Sequence, residues 1–383
     1  MKYVFKNKIN IIFAVVFDAL GAVVFWPFRK RSQKSYLNPR SILIIRLDHI
    51  GDCFLATAVP KLIKENMLNT KVIFLTSSVG RALLDHHPFV DEVIVYDAPW
   101  FKKQAPACRQ GRKEKNISFV EIIKILKKKK IDCAIGLRGD LRENILMWLA
   151  GIPQRIGYGI TGGGFLLTKE ASYRRGAHES EHTTDLLSTL GIQAGNRHAR
   201  PLQPQIYFSA QEEKEFESKL TELGLRCDQK LVGLQVDAGS LAKEWPKENF
   251  RIFLEQFRQR FPQHRLILTG NRLLDELKLT NEVNLIGKTS LRELCLLMKR
   301  MVCFIGPDSG PAHIASGLGT PTVFLYSGTN VYEEWRPLSE AARVLRHPVA
   351  CSPCGLRICN VKGHPCMSDI KVDQVMKVLE NIL

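Results

Sequence analysis

The feature that most narrows the fold is an alternation that the chain runs through twice. Ile42-Leu43-Ile44-Ile45 is a short, unbroken apolar run, as a strand buried on both faces of a parallel sheet requires. Pattern and spacing predict a helix over 53–66, strands over 71–76 and 92–96, a helix over 118–130 and a strand over 131–136. The order then restarts with a strand over 231–236, a helix over 247–261, strands over 265–269 and 283–286, a helix over 290–299 and a strand over 302–305. A helix from Gly310 to Gly317 and a last strand from Thr322 to Tyr326 complete it. Strands alternating with helices imply parallel sheets, so the fold class is α/β, with two doubly wound halves facing a central cleft. At 383 residues the chain has room for two or three domains. Its 45% hydrophobic and 24% charged residues allow a sizeable core and exclude global disorder.

The segment before the first strand follows a different pattern. Ile11 to Phe28 is almost wholly apolar, with Asp18 near its middle. Lys2, Lys6 and Lys8 precede it, and Arg29, Lys30, Arg31 and Lys34 follow. The run is marginal for a crossing of about 20 residues, and a central Asp costs about 2.5–3.5 kcal/mol on insertion scales. It therefore reads as a helix lying in or dipping into a membrane interface, held by apolar burial and basic flanks. A single crossing and a helix packed on the protein's own core are the alternatives. Ser35 to Arg40 reads as a linker, Trp100 to Asn116 as a basic loop and Pro201 to Pro204 as a hinge. The net charge of +17 favours anionic partners without choosing among nucleic acid, lipid and phosphorylated substrates.

In open α/β sheets ligands bind beyond the carboxyl ends of the strands, so the chemistry is sought there. Gly51-Asp52 follows the first strand; the carboxylate is suited to taking a proton from an attacking hydroxyl, or simply to complementing a helix dipole. Asp237-Ala238-Gly239-Ser240 follows the first strand of the second half, with Lys243 and Trp245-Pro246 next. Small residues at Gly239 and Ser240 let backbone N–H groups approach a phosphate, and Lys243 adds charge. Gly306-Pro307-Asp308-Ser309-Gly310-Pro311-Ala312-His313 joins a strand to a helix start, a favourable place for a diphosphate. His313 either donates to that phosphate or caps the helix. The stretch is neither a P-loop nor G-x-G-x-x-G, so no dinucleotide cofactor is indicated. Arg138, Arg142 and Arg155 are cations of the first half suited to an anionic acceptor, or ordinary surface arginines.

Of ten cysteines, Cys53, Cys133, Cys295 and Cys303 sit in or beside apolar segments and read as buried thiols. Cys351, Cys354, Cys359 and Cys366 are spaced compactly enough to bind a structural zinc, with reduced structural thiols as the alternative. No cleavable signal peptide follows the apolar run, which points to a reducing, cytoplasmic setting.

Taken together, Ile44–Asp52 (IIRLDHIGD), Gln235–Pro246 (QVDAGSLAKEWP), Phe304–Gly319 (FIGPDSGPAHIASGLG) and the tail Cys351–Ile370 resemble glycosyltransferase family 9, the bacterial ADP-heptose:lipopolysaccharide heptosyltransferases. The resemblance runs from about Ser41 to the C-terminus. It implies a GT-B fold, an inverting mechanism and no metal or other cofactor in catalysis. By motif position Asp52 is the general base, Lys243 neutralises the leaving diphosphate, and Ser309, Gly310 and His313 hold the donor phosphates in a loop that Asp308 shapes. The implied partners are a nucleotide-sugar donor such as ADP-heptose, a lipid-linked anionic saccharide acceptor and the inner-membrane surface, with no nucleic acid.

The implied organisation is a membrane-associated helix and linker at 1–40, an acceptor domain at 41–200, a donor domain at 201–345 and a Cys-rich segment with a C-terminal helix at 346–383. The enzyme would work at the cytoplasmic face of the inner membrane, as a peripheral or monotopic protein. One departure concerns the donor nucleoside. An acidic residue usually follows the Gly that ends the second strand of the donor half, whereas here Gly270 precedes Asn271 and Arg272, and Asp275 and Glu276 lie further on. Competing readings are a GT-B-fold nucleotide-sugar epimerase and a non-catalytic protein that binds nucleic acid or anionic membrane.

Overall fold

The computed structural model describes residues 2–5, 7–29, 38–101, 117–192, 202–272 and 280–383, with the side chains of 26–29 left out. Most of the basic loop, the first part of the linker, the first hinge residue, and Asp275 and Glu276 lie outside the described residues. The described chain forms two compact units. The first draws on Met1–Asp48, Leu55–Lys102 and Lys113–Pro204, the second on His49–Phe54 and Gln205–Leu383.

The strands are β1 (Ser41–Arg46), β2 (Lys71–Thr76), β3 (Glu92–Val95), β4 (Cys133–Gly136), β5 (Gln154–Gly157) and β6 (Lys169–Glu170), then β7 (Lys230–Gln235), β8 (His264–Thr269), β9 (Val283–Asn284), β10 (Met301–Pro307), β11 (Thr322–Tyr326) and β12 (Ala342–Arg346). The helices are α1 (Lys8–Arg29), α2 (Ile50–Ala56), α3 (Val59–Asn66), α4 (Ser78–Leu84), α5 (Phe119–Lys128), α6 (Leu141–Leu149) and α7 (Glu179–Ser188). In the second unit follow α8 (Ala210–Glu222), α9 (Lys247–Arg260), α10 (Leu291–Arg300), α11 (Gly310–Gly317), α12 (Tyr332–Trp335), α13 (Pro365–Ser368) and α14 (Val372–Glu380).

Each unit is built on a six-stranded sheet, in the orders β3-β2-β1-β4-β5-β6 and β12-β11-β10-β7-β8-β9, and the strand pairs are parallel. The unbroken apolar run of β1 is explained by its two burial environments. Ile42 and Ile44 enter one core with Val72, Phe74 and Ile135, while Leu43 and Ile45 enter the other with Ile73, Leu75 and Ala134. In the second unit Val232 and Leu234 pack with Phe250, Phe253 and Phe257 of α9 and with Val375 and Leu379 of α14. Serine caps start several helices at the expected places: Ser118 and Ser290 each accept the amide of a Glu three residues on, and that Glu accepts theirs.

Two expectations are corrected. The helix expected over 53–66 is two helices, breaking between Ala56 and Val59, because Pro60 in the first turn of α3 offers no amide hydrogen to the preceding turn. Thr322–Tyr326 is not the last strand, since β12 adds to the edge of the second sheet. Its partly exposed residues, with Arg343 and Arg346 on the surface, hide it from an apolar-run search.

Candidate active site

In a doubly wound sheet the order of strands reverses at one place, and the loops leaving the two central strands there diverge to open a crevice. The reversal falls between β1 and β4 in the first sheet and between β7 and β10 in the second. The chemistry-bearing stretches found in the sequence leave these four strands. Asp48–Asp52 follows β1, Arg138 follows β4, Asp237–Lys243 follows β7 and Asp308–His313 follows β10.

The second unit centres on Asp308, which is 2% exposed. Lys243 Nζ donates to its Oδ2 at 2.9 Å and to its backbone carbonyl at 3.0 Å. His313 Nε2 lies 3.2 Å from Oδ1, and Asn330 Nδ2 donates to Oδ2 at 2.9 Å. Burial opposes ionisation of this carboxyl, but the charge of Lys243 and the bonds from His313 and Lys243 outweigh it and bring the pKa down to about 2. Asp308 is thus a permanent anion that aims three donors at one place. Asn330 was not found in the sequence. Its only signal is its position in the loop that leaves β11, the strand beside β10.

Ser309 precedes α11 with extended backbone and makes no capping bond. Its Oγ is buried and has no hydrogen-bond partner among the described residues, so no side chain caps the first turn of α11, where Gly310 and Ala312 carry the N–H groups and Pro311 has none. Gly310 is required by packing, because a Cβ there would collide with the Ile50 side chain and lie 3.1 Å from the Gly51 amide nitrogen. Gly317 stands likewise against the ring of Phe54. The second unit therefore holds the start of α2 against α11. Asp52, in the first turn of α2, is 7% exposed, and its Oδ2 lies 3.3 Å from His49 Nδ1.

Gly239 has open space around the position of a Cβ, and Ser240 Oγ donates to the carbonyl of Arg357 at 3.1 Å. The Cys-rich segment braces this loop and its neighbour. Ala242 N–H donates to Arg357 O at 3.0 Å, and the amides of Cys354 and Gly355 donate to Gly328 O and Thr329 O at 3.0 and 2.8 Å. The loops carrying Lys243 and Asn330 are thus tied to one strap. Cys351, Cys354 and Cys359 are close enough to Cys366 to raise its pKa, after the larger effect of burial, and none of the four is in a disulfide. Among the described residues no three of their sulfurs come within 4.8 Å of one another. A tetrahedral zinc thiolate site needs an edge of about 3.8 Å, given Zn–S bonds of about 2.3 Å, so the four sulfurs as placed do not form the expected zinc site. Cys53, Cys133, Cys295 and Cys303 are buried thiols, and burial pushes Cys133 and Cys303 up to about 12.

Asp237 accepts from the amides of Asn271 and Arg272 at 2.9 and 3.0 Å. This bond set turns the chain sharply at Gly270, where φ is +143°.

The first unit has its own charged cluster. Asp48 Oδ1 accepts from Arg46 Nε at 2.7 Å and Oδ2 from Arg138 at 2.6 Å, while Arg46 reaches Glu179 at 2.8 Å. Arg138 also lies over the Phe101 ring at 4.6 Å, and Arg142 over Trp100 at 4.8 Å. Arg142 is paired with Asp140. Arg155 instead serves the backbone. It donates to the carbonyls of Leu166 and Ile152, each at 2.6 Å, and ties β5 to the turn before β6. Glu143 is buried, and neither oxygen has a hydrogen-bond partner among the described residues. Burial, then the charges of Asp140 and Asp48, raise its pKa well above the carboxylate range.

Comparison with known proteins adds an independent line. The sequence model of glycosyltransferase family 9 (heptosyltransferase) matches residues 119–364. Lipooligosaccharide heptosyltransferase 2 of Campylobacter jejuni is 24% identical over 351 residues, which cover 87% of this chain and 96% of that protein. Lipopolysaccharide heptosyltransferase 3 of Escherichia coli is 25% identical over 308 residues, 76% of this chain and 84% of the other. Among solved structures, a glycosyl transferase family 9 protein from Veillonella parvula superposes with a TM-score of 0.73 at 20% identity, covering 90% of this chain and 97% of its own. E. coli ADP-heptose lps heptosyltransferase II gives 0.68 at 21% identity, covering 89% and 98%. At these identities the structural likeness speaks for the fold, two parallel sheets in the GT-B arrangement.

Proposed function

Because the chain belongs to glycosyltransferase family 9, the heptosyltransferases, we propose that it transfers a heptose from ADP-heptose to a saccharide of the lipopolysaccharide core, with inversion at the sugar carbon. The observation that carries the reading is the convergence of Lys243, His313 and Asn330 on Asp308 beside the uncapped start of α11. Such a place suits a diphosphate: amide donors, a free hydroxyl and a fixed cation meet negative charge without reorganising. The family names of the relatives favour this reading over an epimerase or a non-catalytic anion-binding protein.

The chemistry needs one base and one charge sink. Asp52 takes the proton from the acceptor hydroxyl as its oxygen bonds to the anomeric carbon from the face opposite the leaving group. The bond from that carbon to the diphosphate oxygen breaks, and its electron pair stays on the nucleoside diphosphate. Lys243 and the donors at Ser309, Gly310 and His313 stabilise that growing charge. Gly239 and Ser240 border the same phosphates. Arg138 and Arg142 attract the anionic acceptor, whereas Arg155 is committed to backbone. A structural zinc on Cys351, Cys354, Cys359 and Cys366 is a separate proposal carried by their spacing, and it requires the strap to close around the ion. Stoichiometric zinc in the purified protein is its expected result, and metal-free protein of unchanged fold would discard it.

The functional test is release of nucleoside diphosphate from a panel of nucleotide sugars with lipopolysaccharide-core acceptors, comparing the wild type with Asp52→Ala. Turnover with ADP-heptose that falls by about 10²–10⁴ in the variant, with donor binding retained, is expected. Turnover with another sugar keeps the mechanism and changes the donor; full activity of the variant removes Asp52 as the base.

A further inference from the structure

α1 carries a single acidic residue, and the fold turns it inward. Asp18 Oδ1 accepts the Gly163 amide at 2.6 Å and Oδ2 the Tyr3 hydroxyl at 2.8 Å, with Lys2 Nζ at 3.7 Å. Gly162 and Gly163 have φ of +99° and +75°, a left-handed turn that exposes this amide to the helix. One turn further along α1, a Cβ on Gly21 would collide with the ring of Phe165. Phe25 then packs on Trp148 and Phe165 at ring separations of 5.3 and 5.2 Å. Ala14, Asp18, Gly21 and Phe25 recur at helical spacing, so one face of α1 is fixed on the first unit.

Among the described residues nothing covers the opposite face. Ile12, Phe13, Val16, Leu20, Val23 and Val24 form a second stripe at the same spacing, 70% exposed at Phe13 and 75% at Val23. Its length and composition would allow a crossing, but the first unit already occupies the other side of the helix. A crossing would strip Asp18 of its Gly163 and Tyr3 bonds and leave it in hydrocarbon, whereas a helix lying in the plane keeps both. Basic residues stand at each end of the run and no other carboxylate lies among residues 1–40. Two copies meeting through this stripe would bring their basic ends together, while an anionic leaflet would neutralise them.

We propose that α1 is a membrane-resting helix, locked to the first unit through Asp18, whose outer stripe enters the acyl boundary of an anionic leaflet without crossing it. The inference deepens the lipid-linked acceptor reading by assigning the surface that meets the membrane, and it presupposes that reading only for its purpose.

The test uses the full chain. Sedimentation with vesicles of phosphatidylglycerol and phosphatidylethanolamine should carry the protein down, and Val16→Asp with Val23→Asp should weaken that partition at least tenfold. Turnover of a soluble, delipidated core oligosaccharide should be unchanged in this variant, so loss of membrane binding and loss of the enzymatic reading are told apart. Equal binding by the variant, or a soluble dimer that ignores the vesicles, overturns the proposal. An N-terminal tag should be cut by protease only in inside-out membrane vesicles, and cutting in right-side-out vesicles would show a crossing and overturn it. Asp18→Ala, which removes the acceptor, should speed hydrogen exchange at the Gly163 amide at least tenfold; an unchanged rate rejects the lock.

Discussion

The two sheets reverse their strand order in the same way, yet the groups gathered at the two reversals have opposite electrostatic character. In the second unit the buried carboxylate of Asp308 is surrounded by Lys243, His313 and Asn330, so around it donors exceed acceptors. In the first unit Asp48, Asp140, Glu143 and Glu179 gather with Arg46, Arg138 and Arg142, and burial, then the charges of Asp140 and Asp48, raise the pKa of Glu143 well above the carboxylate range. The same topology thus provides a surplus of hydrogen-bond donors around Asp308 in one half and, in the other, a near balance that includes a buried acid of raised pKa. Topology fixes where loops converge, and the residues on those loops fix what can bind there.

Within this contrast the largest expected effect comes from removing the cation of the donor-rich cluster. Lys243→Ala should lower kcat by about 10²–10³, the scale of losing one preformed donor to a developing anion, as read by nucleoside diphosphate release. An unchanged kcat would end the contrast between the two reversals.

Asp308→Asn comes next and should cost about 1–3 kcal/mol in a urea titration, since the partners of a buried charge lose it. The sign with pH follows from the depressed pKa of about 2. The stabilisation by Asp308 is complete above the unfolded carboxylate range near pH 4 and is lost as pH falls toward 2. The variant should therefore unfold with a flatter acid limb than the wild type.

Glu143→Gln should act in the other direction. The folded-state pKa of Glu143 is raised, so the native state keeps its proton longer than the unfolded chain. Its share of stability is complete below the unfolded carboxylate range and declines as pH rises through the raised value. A neutral amide should raise stability by about 1 kcal/mol at pH 8 and by less at pH 4, measured as a thermal midpoint at both pH values. Equal shifts would mean that the pKa of Glu143 is the same in the folded and unfolded states. The smallest effect is expected from Arg142→Ala, where loss of the cation over Trp100 should cost about 0.5–1 kcal/mol, seen as a severalfold higher KM for the acceptor.

Much of this arrangement was legible in the sequence. β1, β2, β11 and α11 stand within a residue of their expected bounds, because strands buried on both faces need uninterrupted apolar runs and because Gly and Pro punctuate the loops between them. Elements without such runs were missed. α6 mixes Arg142, Glu143 and Asn144 into its first turns, and β12 is a half-exposed edge. The Asp308 cluster was half visible: Lys243 and His313 come from stretches with a recognisable pattern, while Asn330 lies in a loop with none.

The sequence by itself determined the alternation of strand and helix, the two sheets that follow from it, and the loops on which phosphate-binding groups could sit, because these depend on local pattern and on the short reach of a chain between neighbouring elements. Tertiary structure alone decided which charges meet. It set Lys243 and Asn330 on one carboxylate, committed Arg155 to backbone carbonyls, left Glu143 with no hydrogen-bond partner among the described residues, and turned Asp18 from an interruption in an apolar run into the group that holds the first helix in place. A charge is stabilised by what surrounds it in three dimensions, and those neighbours, such as Gly163 for Asp18, are far away along the chain.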